Sequence, residues 1–337
     1  GADALRFTLI AMSSPGRDVK LSKDRVNGYK NFVTKIWNIF NFSKFNNTFT
    51  KPEINFKEIK HPLNLWILNE FNLCKKKTNV SLESYRFDEA AKYVYQFVWN
   101  LYCDWYIEFA KPILSSSNKI NIQELKNTMT FLQSEILLLL HPFIPFVTEE
   151  LWSLTNFNKF FKTPLILYNS KISLNLSTLQ KSQSKNINLL ITLISEIRSL
   201  KVTIGISPGS FCNLFLNESS SSFKNLVDQN TDIIKRLARV NEIDFLNNVS
   251  SSIVKIVVND ENIKIQFDGD INLEDQKLLQ IKKIKDIGDK ISISIQKLKN
   301  KGFVENAPKN IVDNEREMLS SYKLDLEKIN NILRSFK

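Results

Sequence analysis

The chain has 337 residues, 43% hydrophobic and 24% charged, so a packed core spread over two or three domains is expected and wholesale disorder is excluded. Only 8 Gly and 9 Pro argue against a loop-rich all-β fold, and a net charge of +11 suits a polyanionic partner, because cations set near phosphates release condensed counterions. Cys74, Cys103 and Cys212 are scattered and only His61 and His141 accompany them, which predicts no metal site, reduced thiols and a cytoplasmic location; no long apolar run predicts a membrane partner.

GADALRFTLI lacks the basic and apolar blocks of a signal peptide and reads as the middle of a helix. With no initiator Met before it, the chain is expected to be part of a longer polypeptide. Asp3 to Met12 reads as a helix ended by SSPGRD. Ser22 is a good N-cap, and Val26, Tyr29, Phe32, Val33, Ile36, Trp37 and Phe40 then step by three and four along a second helix. Leu63 to Cys74 predicts a third. Phe87, Ala90, Ala91, Val94, Val98, Leu101 and Trp105 mark one face of a fourth, closing near Lys111-Pro112. Asn121 to Leu140 is a fifth, and Pro142 and Pro145 turn the chain before a short helix from Val147 to Leu154. Helices joined by short loops make a bundle.

Around 170–185 the composition shifts to Ser, Lys, Gln and Asn and reads as a linker. Ile187 to Leu200 is then helical, Ser210 to Leu216 a strand, Phe223 to Val240 a helix, and two alternating runs flank Asn259-Asp260 as a hairpin. From Glu274 onward, Ile281, Ile284, Gly288, Ile291, Ile295 and Leu298 recur at heptad spacing. Beyond Asn306-Ala307-Pro308, Leu319, Tyr322, Leu326, Ile329, Leu333 and Phe336 do the same. Two such helices zip as an antiparallel coiled coil. The fold class is therefore mostly α: a helical bundle, a small α+β domain and a coiled-coil hairpin. The boundaries read as 1–20, end of a preceding region; 21–168, bundle; 169–186, linker; 187–272, α+β domain; and 273–337, hairpin.

No Gly-rich phosphate loop, GxSxG, HExxH or Cys/His cluster occurs. Binding features are better represented. Trp99, Tyr102, Trp105 and Tyr106 crowd one helix beside Asp104 and Glu108, and flat rings stack unpaired bases while carboxylates accept from base amino groups. Helical spacing assigns Trp99 and Trp105 to the core and leaves Tyr106 and Ile107, next to charges, to line a partly open pocket. Between Glu274 and Lys301 eight Lys oppose four acids, a bias that suits either a phosphate backbone or a solvated exterior.

These segments resemble class I aminoacyl-tRNA synthetases. GADALRFTL, GRDVKLS and GYKNFVTKIWN are similar to the passage from the KMSKS loop into the helical bundle. CDWYIEFAKP and HPFIPFVTEELW resemble the anticodon-binding bundle of the valyl, isoleucyl and leucyl enzymes. KLKNKGFVENAPKNIVDNEREML looks like the hinge of the valyl-family coiled-coil arm, and EIRSLKVTIGISPG and LARVNEI also look valyl. The resemblance implies an anticodon pocket with Phe42 stacking on a base, Glu108 with Ile107 reading a base edge and Lys20 holding phosphate or base. It implies an arm whose Lys282, Lys283 and Lys285 lie against the tRNA elbow. It further implies tRNA as partner, valine isoacceptors above all, a monomer, and no cofactor in this part, with ATP and Mg used by a parent ligase. The HIGH and KMSKS motifs are absent, so the chain alone is expected to be inactive. Two readings stand beside this one: a helical scaffold whose coiled coil binds protein, and an isoleucyl or leucyl relative.

Overall fold

The computed structural model describes residues 1–14, 18–19, 21–51, 54–164, 178–246, 253–267, 273–306 and 309–335. They form two compact units, Gly1–Asn188 and Leu189–Lys337.

The first unit is helical among its described residues. It comprises α1 (Ala2–Met12), α2 (Lys23–Phe45), α3 (Pro62–Glu83), α4 (Phe87–Tyr95), a π-helical segment (Gln96–Tyr106), α5 (Ile107–Leu114), α6 (Lys119–Leu140), α7 (Pro145–Leu154) and α8 (Phe157–Phe161). The N-cap expected at Ser22 is made, its hydroxyl accepting from the Arg25 N–H at 3.3 Å. The α7 N-terminus is capped from a distance. Asp3 accepts from Phe146 N–H at 3.3 Å and Val147 N–H at 2.7 Å, which ties α1 to the proline turn. Phe7 sits at the centre of an aromatic cluster with Tyr29, Phe32, Tyr95 and Phe143, at centroid separations of 4.9–6.4 Å.

Two of the expected helices differ from expectation. α3 runs on past Cys74 to Glu83, because Lys75, Lys76 and Lys77 are good helix formers although they carry no apolar signal. The fourth helix does not close at Lys111-Pro112 but reaches Leu114 with Pro112 inside it. Between α4 and α5 the backbone is underwound, and this reverses the assignment of the aromatic residues. Val94, Val98, Tyr102, Tyr106 and Ala110 fall every fourth residue and are all buried. In a regular α-helix such a row drifts by about 40° at each step, so the extra residue per π turn keeps it on the core. Tyr106 is fully buried and Ile107 is 4% exposed, whereas Trp99 and Trp105 are half-buried.

The second unit begins within α9 (Thr178–Thr203). It contains β1 (Cys212–Phe215), α10 (Ser221–Gln229), α11 (Thr231–Ala238), β2 (Val240–Asp244), β3 (Ile253–Val258) and β4 (Glu261–Phe267). The sheet order is β2-β1-β4-β3, with β1 and β2 parallel and the other pairs antiparallel. The expected hairpin forms, and Asn259 and Asp260 both take positive φ (46° and 71°), the twist-matched two-residue turn. The single helix expected over 223–240 is instead two helices, α10 and α11, and β2, which begins at Val240, was not expected. Lys201, only 1% exposed, fastens this region, donating to Ser210 O at 2.6 Å, Ala238 O at 2.8 Å and Arg239 O at 3.4 Å. Burial lowers its pKa.

The remaining helices are α12 (Leu273–Lys299), α13 (Lys301–Asn306) and α14 (Lys309–Ser335). Ser294 Oγ donates to Glu315 at 2.8 Å and Lys290 Nζ lies 5.8 Å from the Tyr322 ring, so α12 and α14 run antiparallel. Each helix of 27 residues extends about 40 Å. α14 also touches β3, and Lys283 Nζ donates to Thr203 O at 3.1 Å, so the base of the pair is anchored on its own unit.

Candidate nucleic-acid interface

The outward face of α2 carries Lys35, Asn38 and Phe42, with Lys35 and Phe42 half-buried and Asn38 exposed. Alongside it the underwound helix presents Gln96, Asn100, Asp104 and Glu108, again every fourth residue and on the side away from the core. The same departure from 3.6 residues per turn thus aligns both the buried row and this polar row.

Two lysines stitch the faces together. Lys35 pairs with Asp104 and lies 3.8 Å from the centroid of Trp99, which is stacked on Tyr95 at 5.7 Å. Lys111 pairs with Glu108 and stands 5.9 Å from the Phe42 ring. Each set therefore combines a carboxylate, a lysine and a flat ring. In both sets the charged groups keep 24–48% of their side-chain exposure, so each pair is worth at most about 1 kcal/mol. Such pairs are cheaply exchanged: lysine for a phosphate, carboxylate for a base amino group, ring for a base face.

Of the residues expected here, the structure brings Phe42 and Glu108 together through Lys111. Ile107 is a correction to the open-pocket expectation: it opens α5 with its side chain in the core at 4% exposure. Lys20 lies outside the described residues. Lys35 and Lys111 were not expected. Lys111 was findable as the i+3 partner of Glu108, and Lys35 as the residue two turns before Phe42.

Beneath the interface, Tyr106 Oη donates to Asn64 Oδ1 at 2.9 Å, and Asn64 Nδ2 donates to Glu124 at 2.9 Å. Glu124 also accepts from Lys60 N–H at 3.2 Å and His61 N–H at 2.9 Å, fixing the start of α3. His61 Nδ1 in turn accepts from Leu63 N–H at 3.2 Å, and burial lowers the pKa of its ring while Glu124 opposes the shift. Cys74 and Cys103 are both buried, and burial pushes Cys74 up to about 12 and raises Cys103 as well.

In the second unit Lys282, Lys283 and Lys285 are all exposed along α12. Only Lys283 has an acceptor among the described residues, the Thr203 carbonyl. No helix of the described residues is long and apolar enough to cross a membrane.

Residues 64–216 match the family model of the anticodon-binding domain of tRNA ligase, and residues 270–337 that of the valyl tRNA synthetase tRNA binding arm. The chain is 40% identical to the valine–tRNA ligase of Pelagibacter ubique (strain HTCC1062) over 331 residues, covering 97% of this chain and 37% of that protein. It is 34% identical to the enzyme of that name from Bartonella quintana (strain Toulouse) over 332 residues, covering 97% and 36%. With the Mesorhizobium japonicum protein of the same name the identity is 34% over 323 residues, covering 96% and 35%. The chain thus spans little more than a third of the length of these curated relatives. Residues 64–216 thus carry the anticodon-binding domain, and residues 270–337 the tRNA-binding arm, of the valyl-tRNA synthetase family.

Proposed function

We propose that this chain is the tRNA-gripping part of a valine–tRNA ligase, reading the anticodon on the α2–α5 face and resting the α12–α14 pair on the tRNA elbow. The observation that carries the anticodon assignment is the paired arrangement of Lys35–Asp104–Trp99 and Lys111–Glu108–Phe42 on one exposed face. On this reading the partner is the valine tRNA isoacceptors and the chain acts as a monomer. ATP, magnesium and the joining of valine to tRNA belong to other parts of the full-length ligase, and this chain alone is inactive.

Filter binding of the 337-residue chain to valine tRNA and to a tRNA with another anticodon tests the proposal. Retention should favour valine tRNA and fall steeply with salt. Equal retention of both tRNAs would remove the anticodon from the mechanism.

A further inference from the structure

We infer that Phe45 is a second stacking platform, taking the face of an unpaired RNA base one helical turn beyond Phe42. This rests on the RNA-binding reading above and extends its site to a residue outside the two lysine-bridged sets.

Phe45 ends α2 and is 86% exposed, whereas Phe32 and Phe40 on the same helix are 0% and 4% exposed. The backbone beneath the ring is held by a stiff frame. Phe42 O accepts from Asn46 N–H at 3.0 Å and Asn46 Nδ2 at 2.8 Å. Lys44 O accepts from Asn47 N–H at 3.1 Å, and Ser43 O accepts from Thr48 N–H at 3.0 Å and Thr48 Oγ at 3.2 Å. This turn is then fastened to α6. Thr130 Oγ donates to Thr48 O at 2.8 Å, and Gln133 Nε2 donates to Ser43 Oγ at 2.6 Å. With the last-turn carbonyls satisfied and the turn tied down, the backbone is not placed to roll Phe45 under cover. With the backbone already ordered, only the Phe45 side chain itself has to be fixed on binding.

The surroundings select the occupant. Lys44 and Asn47 beside it are exposed and polar, Asn46 is half-buried, and Phe42 lies near the Lys111 ammonium. A protein partner prefers a contiguous apolar patch. A single flat ring among amides and ammonium groups instead matches a nucleotide: base on ring, base edge on amide, phosphate on lysine.

The test uses the 337-residue chain and an anticodon stem-loop RNA carrying 2-aminopurine at each unpaired loop position in turn, whose fluorescence is quenched on stacking. Phe45→Ala should weaken binding about 5- to 150-fold, the worth of one stacked base. It should abolish quenching at one loop position while leaving quenching elsewhere. Phe45→Leu should behave like Phe45→Ala, and Phe45→Trp should retain parental affinity. Because the side chain is exposed, thermal melting should not change, which separates binding from folding. Parental affinity and quenching in Phe45→Ala would overturn the inference alone, as would full affinity in Phe45→Leu. A dimer of the parent chain that Phe45→Ala dissolves would assign the ring to a second copy. Failure of the parent chain to bind any of the RNAs would overturn the RNA reading itself.

Discussion

If the helix pair binds a phosphate backbone, its three neighbouring lysines should not contribute equally. Lys282 and Lys285 are exposed and have no acceptor among the described residues, whereas Lys283 Nζ donates to Thr203 O at 3.1 Å, at the C-terminal end of α9. A cation at a helix C-terminus is favoured by the carbonyl dipoles, so the Lys283 ammonium is already in use. Each phosphate neutralised contributes about 0.7–0.9 to the slope of log K against log salt. The double substitution Lys282→Ala/Lys285→Ala should therefore flatten the slope by about 1.4–1.8 and the triple should add little. Between 50 and 200 mM salt the double variant should lose roughly 7- to 12-fold less affinity than the parent chain. Filter binding over a salt series, with valine tRNA as probe, measures this directly. A triple variant whose slope falls by about 2.1–2.7 would show that Lys283 leaves Thr203 to meet RNA, and unchanged slopes would remove these lysines from the interface.

Phe42→Ala should weaken valine tRNA binding by about 1–3 kcal/mol, the worth of a stacked base, and preserved affinity would exclude Phe42 from the site. Glu108→Gln should change which anticodon is preferred more than it changes affinity, since the Glu108–Lys111 pair itself is half-exposed and weak; competition among tRNAs reads this, and an unchanged order of preference would count against a reading role. Glu124→Ala should destabilise the first unit by about 2–4 kcal/mol, because buried Asn64 and the His61 N–H lose their acceptor while the exposed Lys60 N–H turns to water. All five tryptophans, at 37, 66, 99, 105 and 152, lie in that unit, so fluorescence-detected urea melts report it, and a change under about 0.5 kcal/mol would refute the network. Burial lowers the pKa of both His61 and His141, so on acidification the unfolded chain takes up protons before the folded one does. Stability is then fully present above the unfolded histidine value of about 6.5 and should fall as pH drops below it. Asp88 is held at about 2 by Arg86 and loses its contribution only at far lower pH, as it titrates down from its ordinary 3.8. A melting midpoint that is flat from pH 7 to about 5 would contradict the histidine assignment.

Elements were legible in the sequence where their residues carry a local signal. Ser22, Pro142, Pro145 and Asn259-Asp260 announce themselves chemically, and the cap, the turn and the hairpin form where they stand. The break between α10 and α11 falls at Asn230 without Gly or Pro, and α11 ends on Arg239 in the left-handed conformation (φ 55°) where glycine is usual. That silence merged α10 and α11 into one apparent helix and left β2, which starts where that helix was expected to end, unannounced. The heptad pattern revealed the paired helices, since Ile291, Ile295 and Leu298 are at least half-buried against α14, but Ile281 is 51% exposed and stands outside the seam. In the candidate site, the resemblance pointed to Phe42 and Glu108, and the structure sets both beside Lys111. The inversion of Trp99 and Trp105 with Tyr106 and Ile107 was not, because counting 3.6 residues per turn is the wrong ruler for a π-helical stretch.

That stretch has a consequence for how the recognition face can vary. A π turn is one peptide longer than its α counterpart, so rewinding one such turn between Gln96 and Tyr106 to α pitch with the residue count unchanged would swing Asp104 and Glu108 about 100° around its axis. The same rotation would carry Tyr102 and Tyr106 out of the interior. Interior and polar edge are geared to one shaft: side chains can be exchanged singly along the polar row, but the row cannot be re-aimed without stripping the bundle of its centre.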